Sequence, residues 1–95
     1  MAPLEVLEAL VALAKEPGLQ VRAARPDEPI LESALCRLRG ALWLVLLPSD
    51  PLQHQIDLVA ATLRTHAAEL LESRWIAPEL RARIEGGDGP KRTRN

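Results

Sequence analysis

The sequence predicts a small, predominantly helical α+β domain. Leucine and alanine, both strong helix formers, dominate the 95-residue chain. Phe and Tyr are absent and aromatic residues make up only 2% of the chain, which disfavours a large sheet. Two short segments nevertheless have the patterns and flanking residues of strands. We therefore expect several helices and a small sheet.

The first helix and the first strand are predicted close to the N-terminus. A helix over residues 3–16 begins favourably at Pro3, whose missing N–H costs nothing in a first turn. Its apolar residues cover about half of the circumference, so this helix should be covered on two sides. Pro17 and Gly18 end it, and residues 19–23 then alternate apolar and polar side chains, as a half-buried strand does.

The central part of the chain is more ambiguous. A second helix is predicted over residues 29–39, with Gly40 as its C-terminal stop. The apolar positions on one face of that helix are Ile30, Leu31, Ala34, Leu35 and Leu38. Residues 41–47 are all apolar, and their length between Gly40 and Pro48 favours a strand that would be covered on both faces. Their leucine content leaves open a helical continuation, which would make the fold an all-α bundle.

The last elements are two helices of unequal length. A long helix is predicted over residues 51–74, with Ser49 or Asp50 able to cap its first turn. A short helix is predicted to begin at Pro78. Residues 1–86 would form a single domain, and residues 87–95 a flexible basic tail.

The predicted order is helix, strand, helix, strand, long helix, short helix. Since a helix would connect the two strands, they should run parallel. A two-stranded parallel sheet is a poor structure by itself, because both of its edges are free to pair. We expect a second copy of the chain to complete this small sheet.

Composition and charge limit the classes of function. The net charge of −1 argues against a dedicated nucleic-acid binder, whose domain is usually strongly basic. The longest apolar run has seven residues, whereas a helix that crosses a bilayer needs about 20. A single cysteine, Cys36, excludes an internal disulfide. We expect a soluble, cytoplasmic protein without membrane contact.

The sequence predicts no catalytic, cofactor-binding or metal-binding residues. His54 and His66 are twelve residues apart on the long helix, about 18 Å along its axis, so they cannot share a metal ion within one chain. Cys36 belongs to no Cys-x-x-Cys motif and has no obvious histidine neighbour, which is typical of an ordinary thiol. We therefore predict a protein without catalytic activity of its own.

The favoured function is a small protein-interaction or regulatory module that self-associates. The predicted interface residues are Trp75, Ile76 and Leu58. Trp75 falls where the long helix ends and stands beside Ile76, and large apolar residues next to one another often mark an interface. Leu58 faces away from the apolar stripe of its helix. The expected partner is a second copy of the chain.

The sequence leaves open two alternative functions of a different kind. The first is a small nucleic-acid-associated regulator, in which Lys91, Arg92 and Arg94 of the basic tail would contact phosphate. The second is an enzyme subunit with a site formed between chains, to which Cys36 or His66 would contribute.

Overall fold

A computed structural model describes residues 1–86 as an α+β fold with four helices and a mixed sheet of three strands. The helices are α1 (Pro3–Lys15), α2 (Leu52–His66), α3 (Ala68–Ser73) and α4 (Pro78–Glu85). The strands are β1 (Gln20–Ala23), β2 (Ala34–Leu38) and β3 (Ala41–Leu46). The predicted α+β class is confirmed, and the all-α alternative is wrong.

The core lies between the helices and one face of the sheet. Leu10 of α1 and Leu44 of β3 are fully buried in it together with Leu63 of α2. α1 begins as the sequence predicts, with Pro3 in the first turn, and the Glu5 carboxylate accepts a hydrogen bond from the N–H of Ala2. The long apolar stripes of α1 and α2 therefore pack against each other and against the sheet.

The strand order is β1-β3-β2, with β3 in the centre. β1 pairs with β3 in parallel, as the sequence predicts. The connection between them was expected to be a helix, but it consists of the β1–β2 loop (residues 24–33) and the strand β2, which pairs antiparallel to β3. The sheet therefore has three strands within one chain, where two were predicted. Its completion by a second copy stays a prediction.

The helix predicted over residues 29–39 is wrong, because residues 34–38 form β2. Arg39 and Gly40 make the two-residue turn of a β-hairpin, with φ of +53° and +82°. Positive φ at both positions is the requirement of a type I′ turn, and its twist matches that of the flanking strands. Gly40 is thus a hairpin residue and not the stop of a helix. The apolar spacing that suggested a helix also fits a strand, since Leu35 pairs with Leu44 towards the core.

The helix predicted over residues 51–74 is interrupted at Ala67. This residue has φ −136° and ψ 32°, which separates α2 from α3. Ala67 itself is buried, so the break keeps both helices against the same core. The short helix that was predicted from Pro78 is confirmed as α4.

No helix within residues 1–86 is long and apolar enough to cross a membrane.

Candidate docking surface

The two faces of the sheet have different environments. The inner face carries Val21, Leu35 and Leu44, which occupy the same register across the three strands and pack in the core under the helices. Side chains alternate along a strand, so the neighbouring positions point the other way. These positions form what we call the outer face: Gln20 and Arg22 of β1, Ala34, Cys36 and Leu38 of β2, and Ala41, Trp43 and Val45 of β3.

The outer face holds an open depression of about 360 Å³. Its floor is apolar and includes Trp43 and Val45 of the central strand, with Leu38 at the hairpin end. Glu28, Ile30 and Glu32 of the β1–β2 loop line it as well. Val45 is buried although it lies outside the main core cluster, whereas Leu38 is 56% exposed. The loop therefore covers this face only in part.

A bidentate ion pair between Arg22 and Glu28 fixes the middle of the β1–β2 loop to the sheet. The guanidinium of Arg22 donates hydrogen bonds of 2.6 and 2.7 Å to the two carboxylate oxygens of Glu28. The backbone N–H of Arg25 donates a further bond of 2.7 Å to the same carboxylate. Bidentate pairs of this kind fix orientation as well as distance. Arg22, and then the N–H of Arg25, lower the pKa of Glu28 from 4.5 to about 2.

The far end of the same loop is held by Ser33 and Asp50. The backbone N–H of Ser33 donates to the Asp50 carboxylate at 2.7 Å, and the Ser33 hydroxyl accepts from the N–H of Leu47 at 2.8 Å. The Ser33 backbone N–H, followed by its hydroxyl, lowers the pKa of Asp50. α2 has no side-chain cap, so the suggested capping role of Ser49 or Asp50 is wrong and Asp50 anchors the loop instead. The loop is thus a fixed border of the depression.

Replacing Glu28 with glutamine is expected to remove a pH-dependent part of the stability. Because the pKa of Glu28 is lower in the folded protein, its carboxylate stabilises the fold above pH 4.5, and this contribution is lost as the pH falls through about 2. Urea unfolding should show the wild type to be more stable than Glu28→Gln at neutral pH, with a difference that shrinks towards pH 2.

A control for this prediction is Asp27→Asn in the same loop. The Asp27 side chain is 85% exposed and lies 3.8 Å from Arg25, so its replacement should change little at any pH. A difference between wild type and Glu28→Gln that does not vary with pH would contradict the role given to the ionised pair.

The three predicted interface residues differ in exposure, and two of them, Trp75 and Ile76, line the same small depression. Trp75 is 77% exposed, but Ile76 is only 5% exposed and belongs to the core, and Leu58 packs partly buried against that core. Trp75 borders a smaller depression of about 250 Å³ between α1 and α4. Of the three, only Trp75 has a largely exposed side chain, and the place of all three in an interface stays a prediction.

The residues considered for chemistry are dispersed over the fold. Cys36 was expected near the C-terminal end of a helix, but it lies exposed on the edge strand β2. His54 and His66 are both exposed on α2. Within residues 1–86, no three His, Cys, Asp or Glu side chains are grouped as metal ligands. The predicted phosphate-contacting residues are Lys91, Arg92 and Arg94; they and the predicted tail lie outside the described part of the chain.

Sequence reasoning missed Trp43, Val45 and Leu38 as surface candidates. For Trp43 and Val45 the signal was present in the unbroken apolar segment 41–47, which as a strand needs cover on both faces. The helices cover the inner face, and the β1–β2 loop covers the outer face incompletely. Comparison of the chain with protein-family models, with curated proteins and with solved structures finds no match.

Proposed function

We propose that this chain is a small, non-catalytic protein-interaction or regulatory module that self-associates through the outer face of its sheet. The observation that carries the proposal is the incompletely covered apolar surface around Trp43 and Leu38. A partner that covers this surface would give the central strand the second apolar layer that its sequence calls for.

The physical driving force is the burial of apolar area. Each square ångström removed from water contributes about 25 cal/mol, and an aromatic side chain with aliphatic neighbours is a frequent centre of binding energy. Trp43, Val45 and Leu38 form such a group around a concave floor. Arg22 and Glu28 neutralise each other at the border, so this part of the rim offers a partner no uncompensated charge.

A protein fits this surface better than a nucleic acid. The rim of the depression carries the carboxylates of Glu28 and Glu32 beside the guanidinium group of Arg22. A surface for phosphate would need an excess of positive charge, since phosphate contacts supply most of the affinity for nucleic acid. Mixed charges around an apolar centre are instead typical of protein–protein interfaces.

The experiment is a sedimentation series combined with amide hydrogen exchange. Between about 5 µM and about 500 µM, the full chain is expected to shift from 10.4 kDa towards twice that mass. Over the same range, amides of β2 and of the β1–β2 loop should gain protection, while those of α4 should not. A monomer at every concentration would contradict self-association, and new protection confined to the surroundings of Trp75 would place the interface elsewhere.

A further inference from the structure

We propose that two copies of the chain join along the free edge of β2, antiparallel to each other and about a two-fold axis at Cys36. Their two small sheets then continue as a single sheet across the axis. This inference rests on the proposed function, because it specifies the edge and the register through which the chain self-associates. Leu38 links the two, since it belongs to β2 and also lies on the outer face.

The first support is a row of backbone groups on β2 that have no partner within residues 1–86. β2 is an edge strand in the order β1-β3-β2. The turn after Leu38 closes on a hydrogen-bonded pair of Leu38 and Ala41, and such pairs alternate along an antiparallel ladder. Leu35 and Arg37 therefore direct their N–H and C=O groups away from β3. No hydrogen bond from another part of residues 1–86 reaches these groups.

The second support is that β2 has few of the features that protect an edge strand. Proteins protect free edges with prolines, bulges, charged side chains or a covering segment. β2 contains no proline, its pairing with β3 runs without a bulge, and Arg37 is its one charged residue. Cys36, Arg37 and Leu38 are all exposed. An edge of this kind is a template for a further strand.

The register follows from the backbone groups that must pair. With the axis at Cys36, Leu35 of each copy lies opposite Arg37 of the other, so every outward N–H and C=O of both strands is paired. An axis at Arg37 would place the two arginines directly opposite each other, which is destabilising. An axis at Leu35 would require the N–H of Ser33, which already donates to Asp50 at 2.7 Å. Only the axis at Cys36 overlaps the two strands along their whole length.

The side chains are compatible with this register. The two Cys36 residues form a pair without backbone hydrogen bonds, in which the Cα atoms are about 4.5 Å apart. Leu38 of each copy lies beside Ala34 of the other, and both residues line the depression on the outer face. On the opposite face, the aliphatic stem of Arg37 lies beside Leu35 of the other copy. The contact therefore removes apolar area from water and places no like charges directly opposite each other.

The first test removes the outward N–H at position 37 in the full chain. Proline is tolerated on an edge strand where the missing N–H faces solvent, so Arg37→Pro should leave the monomer folded. Its dimer should be at least about tenfold weaker than that of the wild type in sedimentation. Arg37→Thr removes the same charge but keeps the N–H, so it should dimerise within about threefold of the wild type. Circular dichroism checks the fold of both variants.

The second test traps the register with disulfides and starts from the unmodified chain. Copper–phenanthroline catalyses the oxidation, in which two thiols form one S–S bond and pass two electrons and two protons to dissolved oxygen, giving hydrogen peroxide. Cys36 should link to Cys36 of the other copy, because disulfides span Cα distances of about 4.4–6.8 Å. In a Cys36→Ser background, Leu38→Cys should not link to itself, since the two positions lie about 13 Å apart along the strands. Its mixture with Ala34→Cys in the same background should link.

The outcomes separate this inference from the proposed function. If the wild type dimerises and Arg37→Pro dimerises as well as Arg37→Thr, the edge pairing is wrong, while self-association through the outer face is retained. The register is wrong if position 38 links to itself as fast as Cys36 does. Amide protection that appears in the dimer on β1 and not on β2 would also overturn the inference. If the wild type stays monomeric throughout, self-association itself fails.

Discussion

Replacing Leu38 with glutamate is expected to weaken self-association about a hundredfold while the monomer stays folded. Leu38 is 56% exposed on the outer face, at the hairpin end of the depression. Losing its apolar contact and bringing a carboxylate into the interface costs about 1.4 kcal/mol, which is about tenfold in the dissociation constant. A two-fold dimer contains this contact twice, so the two factors multiply.

The matched control is Leu4→Glu. Leu4 is 55% exposed and lies on α1, which packs against the inner side of the sheet, so the substitution has the same chemistry on the other side of the molecule. Sedimentation velocity over a concentration series measures both variants. Equal dimerisation of the two variants would contradict the assignment of the interface to the outer face. Leu38→Ala introduces no charge, so it should weaken self-association less than Leu38→Glu does.

Replacing Leu44 with alanine is expected to lower the free energy of unfolding by about 3 kcal/mol. Leu44 is fully buried in the central strand, between Val21 and Leu35 on the inner face. The removed apolar atoms no longer contribute their free energy of transfer out of water, and the cavity that they leave adds a further cost. The sum is a considerable part of the roughly 5–15 kcal/mol by which a typical domain is stable. Leu44→Val removes less volume and should cost about 1 kcal/mol.

Urea unfolding at low protein concentration measures this effect without a contribution from the dimer. Leu31→Ala is the comparison, because Leu31 is 95% exposed and its truncation should change the stability of the monomer by no more than about 0.5 kcal/mol. A Leu44→Ala variant that is nearly as stable as Leu31→Ala would show that the core is not closed over the central strand.

Local sequence patterns were sufficient to predict the helices and strands that are marked by prolines, glycines or apolar residues within a few positions. The proline start of α1, the apolar stripe of α2 and the proline start of α4 all placed helices where the structure has them. The apolar segment between Gly40 and Pro48 was correctly predicted as a strand. Its parallel pairing with β1 was also predicted, but from a connecting helix in whose place the structure has the strand β2. The break at Ala67 was missed, because nothing in the sequence near an alanine distinguishes it from the interior of a helix.

The candidate site was predicted less well than the fold. Trp75 was correctly placed at the end of a helical segment and is exposed, whereas its neighbour Ile76 faces the core. The direction of a side chain just beyond a helix depends on how the following chain turns, which the spacing of apolar residues does not fix. The outer face was not found because it requires knowing that residues 34–38 form a strand beside β3.

The sequence by itself determined the helical character of both ends of the chain, the central apolar strand and the small size of the sheet, because these follow from composition and short-range periodicity. Only the tertiary structure decided that residues 34–38 extend along β3, that Arg39 and Gly40 turn with positive φ, and that Asp50 and Arg22 hold the β1–β2 loop. The physical reason is that a strand is stabilised by hydrogen bonds and side-chain contacts with a neighbour, so a segment that fits both helical and extended spacing is decided by the partner it meets.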